Sequence, residues 1–152
     1  MCYGNGMLIE IWIDGAVGPT NPGPAGGWGA ILRYNEKQRE FSGGVSEWTT
    51  NQRMEILAAI KGLEALQRPS EAIVYSDSQY VVKTMMNGWR RRKNLDLWER
   101  LDKVRAAHRV RFQWVKGHSG DVLNERCDEL ANKALQEHGG APFRLRSSDS
   151  AA

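Results

Sequence analysis

Cysteine is nearly absent from this chain: Cys2 and Cys127 are the only two in 152 residues. Two cysteines do not make a disulfide framework, so a reducing, cytoplasmic setting is expected. No apolar run approaches the roughly 20 residues that a membrane span needs, which excludes a transmembrane helix and a membrane partner. Met1 to Gly6 carries neither a basic start nor an apolar core, so no secretory signal is expected. No segment repeats, which excludes a repeat architecture. What remains suits one domain with a real core. The formal net charge is +3, a mild tilt towards polyanionic partners. That charge is bunched in Trp89-Arg90-Arg91-Arg92-Lys93, which is more telling than the total.

The stretch from Thr49 to Leu66 reads as a helix with a clear start, since Thr and Asn are natural N-caps. On a helical wheel Arg53, Lys61, Glu64 and Gln67 define the wet side. Met54, Ala58, Ala59, Leu63 and Leu66 cover the opposite half. Glu55 lands near the middle of that dry face. An isolated buried carboxylate is too costly to leave alone, so Glu55 needs a cation, a proton or a cluster of donors. The plain alternative is a structural Glu paired with an Arg. Small neighbours at Ala58, Ala59 and Gly62 would let the helix lie close on a sheet.

The other elements follow in order. Leu8 to Ile13 is a strand, and Asp14-Gly15 is expected to end it. Gly18 to Gly27 is a loop by its Gly and Pro punctuation. Trp28 to Tyr34 and Arg39 to Val45 are strands that complete an antiparallel meander. After the Glu55 helix, Ala72 to Ser76 forms a strand closed by Asp77. Ser78 to Met86 is a short helix, Leu95 to His108 another, and Val110 to Val115 a fifth strand. Lys116 to Asp121 is a loop, and Asn124 to His138 a last helix stopped by Gly139-Gly140. This order gives an α/β fold: a five-stranded mixed sheet, its first three strands antiparallel and the others parallel, flanked by helices. Residues 1–7 are expected to be a flexible lead, 8–140 the domain, and 141–152 a mobile tail.

If the first and fourth strands lie side by side, Asp14 and Asp77 meet where ligands bind in such sheets. With Glu55 and with Asp128 on the last helix they describe an acidic pocket on a basic protein. Singly, each Asp is ordinary as a turn former or cap. Together they suit a hard cation such as Mg²⁺, which takes carboxylate oxygens. Two such ions about 4 Å apart activate water and stabilise a leaving oxygen in phosphodiester cleavage. Without metal the carboxylates would repel and raise one another's pKa. His118, in a glycine-flanked loop before the Asp128 helix, is either a plain surface residue or a mobile imidazole that delivers water and takes up a proton.

The segments Ile13-Asp14-Gly15, Asn21-Pro22-Gly23-Pro24, Thr49-Thr50-Asn51-Gln52-Arg53-Met54-Glu55, Asp77-Ser78-Gln79-Tyr80, Asp96-Leu97-Trp98, Trp114-Val115-Lys116-Gly117-His118 and Asn124-Glu125-Arg126-Cys127-Asp128-Glu129-Leu130-Ala131 resemble ribonuclease H type 1 in their family order. The resemblance implies hydrolysis of the RNA strand of an RNA/DNA hybrid with two Mg²⁺, with Mn²⁺ as a possible substitute. It implies a catalytic, metal-binding set of Asp14, Glu55, Asp77 and Asp128, with His118 as the catalytic-loop histidine. It places Asn21, Asn51, Gln52 and Gln79 at the hybrid's minor groove, where amides meet base edges and 2′-hydroxyls. It places Thr50 at a DNA-strand phosphate. Thr50 and Asn51 also read as helix caps, and both roles can coexist. A monomer is expected.

Two departures stand out. The basic protrusion of some family members is missing or reduced to a turn around Arg90, Arg91 and Arg92. Weaker hybrid affinity at physiological salt is therefore expected, with the arginine run compensating in part. The Asp14–Asn21 loop is longer than usual, and Gln52 replaces an Asn. Two other readings compete: a nuclease of the same fold acting on duplex RNA or in DNA strand transfer, and a hybrid-binding module that no longer cuts. The His118 loop and the amides speak against the first, the four carboxylates against the second.

Overall fold

The computed structural model describes residues 8–142. Cys2, the expected N-terminal lead and all but the start of the expected tail lie outside the described residues. The elements are β1 (Leu8–Gly18), β2 (Ala25–Tyr34), β3 (Lys37–Val45), α1 (Asn51–Glu64), β4 (Glu71–Ser76), α2 (Gln79–Asn87), α3 (Leu95–Arg105), β5 (Arg109–Trp114) and α4 (Val122–Glu137). They form the expected five-stranded sheet, in the order β3-β2-β1-β4-β5. β1, β2 and β3 pair antiparallel, while β4 runs parallel to β1 and β5 parallel to β4. Among the described residues no helix is long and apolar enough to cross a membrane.

Alternation along β1 and β2 divides the core. Ile11, Ile13 and Ala30 face a large cluster with α1, α2 and α3, in which Ile56, Ile60, Leu63, Trp98 and Leu101 are buried. Trp12 and Ile31 face the other way, against Cys127 and Leu130 of α4. Cys127 is fully buried there, where burial pushes its thiol well above the usual range. Buried Trp98 donates its ring N–H to the Tyr80 hydroxyl at 3.3 Å, which satisfies the polar end of that large side chain.

One boundary differs from the sequence expectation in a way that matters. β1 does not stop at Asp14-Gly15; it runs on to Gly18. Its parallel pairing with β4 ends at Trp12↔Tyr75, but its antiparallel pairing with β2 continues to Gly18↔Ala25. Two glycines that look like loop punctuation, Gly26 and Gly27, are β2 residues packed under helices, Gly26 against Met54 of α1 and Gly27, like its strand neighbour Gly29, under α4. A Cβ on Gly29 would lie 2.7 Å from the Cys127 carbonyl oxygen, and one on Gly27 would run into that of Ala131. Close helix packing, not turn geometry, requires them. Asp14 therefore sits mid-strand, just past the point where β4 leaves β1.

Candidate active site

Gly15 is what lets α1 approach. A Cβ there would fall 2.6 Å from the Met54 carbonyl carbon and 2.7 Å from the Glu55 backbone nitrogen. The strand and helix backbones are thus in contact at the point where Asp14 and Glu55 project. α1 starts at a Thr50 cap, whose hydroxyl oxygen accepts from the Arg53 N–H at 3.1 Å. Asp77 follows the last residue of β4. One carboxylate oxygen from each of Asp14, Glu55 and Asp77 lies within 4.8 Å of the others.

Asp14 and Glu55 are 5% and 4% exposed, so both carboxyls are withdrawn from water. Burial, then the neighbouring Asp77 charge, pushes Asp14 up to about 8, although the Gly15 N–H donates to it at 2.9 Å. Burial and the charges of Asp14 and Asp77 also raise Glu55 well above its ordinary value. Burial also raises Asp77, against the donor Asn124 and the positive charge of His118. Among the described residues Glu55 Oε1 has no hydrogen-bond partner. Buried carboxyls that repel, with an oxygen left unpaired, fit a divalent cation far better than an empty core.

Asp128 stands apart from this close group. It lines a neighbouring cavity of about 190 Å³ with Gly15, Ala16, Val17, Asn21, Asn51 and Asn132. The Asn132 amide donates to its carbonyl oxygen at 2.9 Å and to its Oδ1 at 3.2 Å. Its charge still reaches Asp14 and Asp77. Asn21, despite its longer loop, meets Asn51: the Asn51 backbone N–H donates to Asn21 Oδ1 at 3.1 Å. The loop is also tied down by paired backbone bonds between Gly23 and Thr49.

Gln52 is exposed in the first turn of α1, and Gln79 is the exposed first residue of α2. His118 is exposed, with φ +55°. Gly88 ends α2 and residues 89–94 lead directly to α3, so no protruding helix intervenes. Arg90 and Arg92 are exposed there. Arg91 differs: it makes a two-pronged ion pair with Asp102 and stacks 5.3 Å from the Trp98 ring. That guanidinium is bonded to α3.

The sequence reading missed Gly15, Asn124 and the fork of Arg53 on Asp96, at 3.1 and 2.7 Å. Arg53 pulls the Asp96 carboxyl down to about 2 and ties α1 to the start of α3. Only the Gly15 clearance had a signal, a glycine beside a candidate carboxylate.

The sequence and fold match known proteins. A family model described as RNase H matches residues 7–136. The chain belongs to the RNase H family. The Ribonuclease H of Legionella pneumophila strain Corby is 47% identical over 144 residues, covering 86% of this chain and 99% of that one. The Ribonuclease H of Caulobacter sp. strain K31 is 49% identical over 148 residues, covering 86% and 94%. Among solved structures of the family, the N-terminal RNase H domain of a Mycobacterium tuberculosis protein superposes with a TM-score of 0.75 at 26% identity, covering 97% of this chain and 100% of that one. LC11-RNase H1 in complex with RNA/DNA hybrid gives 0.73 at 25% identity, covering 85% and 97%.

Proposed function

We propose that this chain hydrolyses the RNA strand of RNA/DNA hybrids, using a pair of divalent ions and leaving 5′-phosphate and 3′-hydroxyl ends. Membership of the RNase H family makes it an endoribonuclease. The observation that carries the metal reading is the packed trio of Asp14, Glu55 and Asp77. Their oxygens suit Mg²⁺, with Mn²⁺ as a substitute, and Asp128 completes the set from the adjoining wall. The chemistry that such ions supply is activation of the attacking water and stabilisation of the departing 3′ oxygen.

The chain's own groups do the rest. Asn51 uses its backbone N–H to fix Asn21, so the side-chain NH₂ groups of both remain as donors beside the carboxylates. With Gln52 and Gln79 they bind the minor groove and its 2′-hydroxyls, which mark the RNA strand. The Thr50 oxygen accepts from Arg53 N–H, and its own proton is left to donate to a DNA-strand phosphate. His118, on the Asp77 side, takes and returns a proton. The solved relative bound to an RNA/DNA hybrid supports this choice of substrate.

The test uses strand-labelled RNA/DNA hybrid, duplex RNA and duplex DNA, each with Mg²⁺, Mn²⁺ or EDTA, beside Asp14→Asn. RNA cut only in the hybrid, only with metal, and not by the variant is the expected result. Binding of hybrid without cleavage in either metal would replace the enzyme by a binding module.

A further inference from the structure

Asp77 is gripped from the β5–α4 side at three levels. The Trp114 ring N–H donates to its backbone carbonyl at 3.1 Å. Gly117 lies against its carboxylate, so that a Cβ there would sit 2.9 Å from Asp77 Oδ2. The Asn124 amide donates to the same Oδ2 at 3.5 Å. That distance is long for a hydrogen bond, as is common at active sites before the ligand binds.

Asn124 has no local reason to be where it is. It stands in the first turn of α4, yet the cap of that helix is Asp121, whose carboxylate accepts from the Asn124 backbone N–H at 2.9 Å. Asparagine is a mediocre helix former. The residue is 2% exposed, and among the described residues its Oδ1 has no hydrogen-bond partner. A buried amide with an orphaned oxygen costs stability that an apolar side chain of the same shape would not. Turning the amide over would only aim that oxygen at a carboxylate, so the donor orientation stands on chemistry.

We propose that Asn124 is a positioning residue: its amide, opposite the bare backbone of Gly117, fixes the Asp77 carboxylate so that Oδ1 is turned to a divalent cation shared with Asp14 and Glu55. The inference rests on the metal-dependent reading above. Such outer partners set the rotamer of a ligand, and their loss commonly weakens metal binding by about 10–100-fold. Asn124 also stands in the first turn of the helix that follows the His118 loop, so the same bond keeps loop and metal site in register.

The decisive comparison separates hydrogen bonding from packing. Asn124→Leu keeps the branched shape at a larger volume, removes the donor and removes the orphaned oxygen, so it should melt above Asn124→Ala. Asn124→Ala leaves a void and should melt lower. Mn²⁺ binding is measured by calorimetry on the full chain without nucleic acid. Both variants are expected to bind Mn²⁺ about 10-fold more weakly than the wild type. Gly117→Ala approaches the same carboxylate from the loop and should show a similar loss, which keeps the test alive if neither Asn124 variant folds. A stable Asn124→Leu with wild-type Mn²⁺ affinity would overturn the proposal and leave a purely structural amide. So would unchanged affinity in Gly117→Ala as the sole folded variant. A wild type that binds no Mn²⁺ would overturn this inference and the metal reading together, whereas wild-type binding that is equal in all variants defeats only the role of Asn124.

Discussion

Gly15 and Glu55 touch backbone to backbone: there is no room for even a methyl group between them, since a Cβ on Gly15 would lie 2.7 Å from the Glu55 nitrogen. Gly15→Ala must push α1 away from β1, and backbone atoms have no rotamer to yield. A loss of about 1–3 kcal/mol is expected for such overpacking. For a chain of this size that is a fall of roughly 3–10 °C in melting temperature. Hybrid cleavage should fall as well, because Asp14 and Glu55 separate. A Gly15→Ala protein with wild-type melting and cleavage would contradict the close approach.

The raised carboxyls make the metal-free protein sensitive to base. Asp14 moves from 3.8 to about 8 on folding. A group raised in this way favours the folded chain fully below its unfolded value, and that contribution is lost as pH rises through its folded value. Thermal melts in EDTA should therefore fall between about pH 5 and pH 9. Asp14→Asn should flatten that fall and melt above the wild type at about pH 8. Mg²⁺ should raise the wild-type melt at that pH and leave the variant nearly unmoved. Wild-type melts independent of pH across this window would refute the account.

The basic turn divides by role. Changing Arg90, Arg92 and Lys93 to Ala should reduce the slope of log affinity against log salt by about 0.9 for each phosphate that is no longer neutralised. Arg91→Ala should leave that slope alone and cost about 1–2 kcal/mol of stability, through its paired bonds to Asp102 and its stacking on Trp98. Binding titrations across a series of salt concentrations, with parallel melts, check both halves. A salt slope that responds to Arg91 alone would reverse the assignment.

His118→Ala should slow hybrid cleavage by about 100-fold while leaving hybrid affinity and Mn²⁺ affinity within error. The side chain belongs to no core cluster, so melting should not move. Single-turnover rates beside binding isotherms separate these effects. A loss of affinity equal to the loss of rate would make His118 a binding group.

The parts of the site that rest on side-chain chemistry were readable in the sequence. Glu55 on an apolar helix face announced itself by being out of place, and Asp77 after an apolar strand, ordinary alone, gained its meaning beside Glu55 and Asp14. What was not readable depends on the neighbour across a gap. Gly26 and Gly27 look like loop residues because glycine is a poor strand former, and only the approach of neighbouring helices explains them. Asp14 looked like a strand end because Gly15 follows it, yet that glycine is there for α1. Arg91 looked like one of three equal cations, and its capture by Asp102 needed the fold of α3 back on the turn. Asp128 reads as an equal fourth ligand, but its bonds to Asn132 hold it on the next wall.

β4 stops at Ser76 while β1 continues to Gly18, and the recess between them is cut into the sheet itself. Its outline is drawn by main chain and by glycines, not by the carboxylates that line it. Swapping acid for amide at Asp14 or Asp77 leaves that outline standing. A mute copy of the protein, unable to cut yet shaped to receive its duplex, is therefore one atom exchange away, and would serve as a trap for hybrids inside a cell extract.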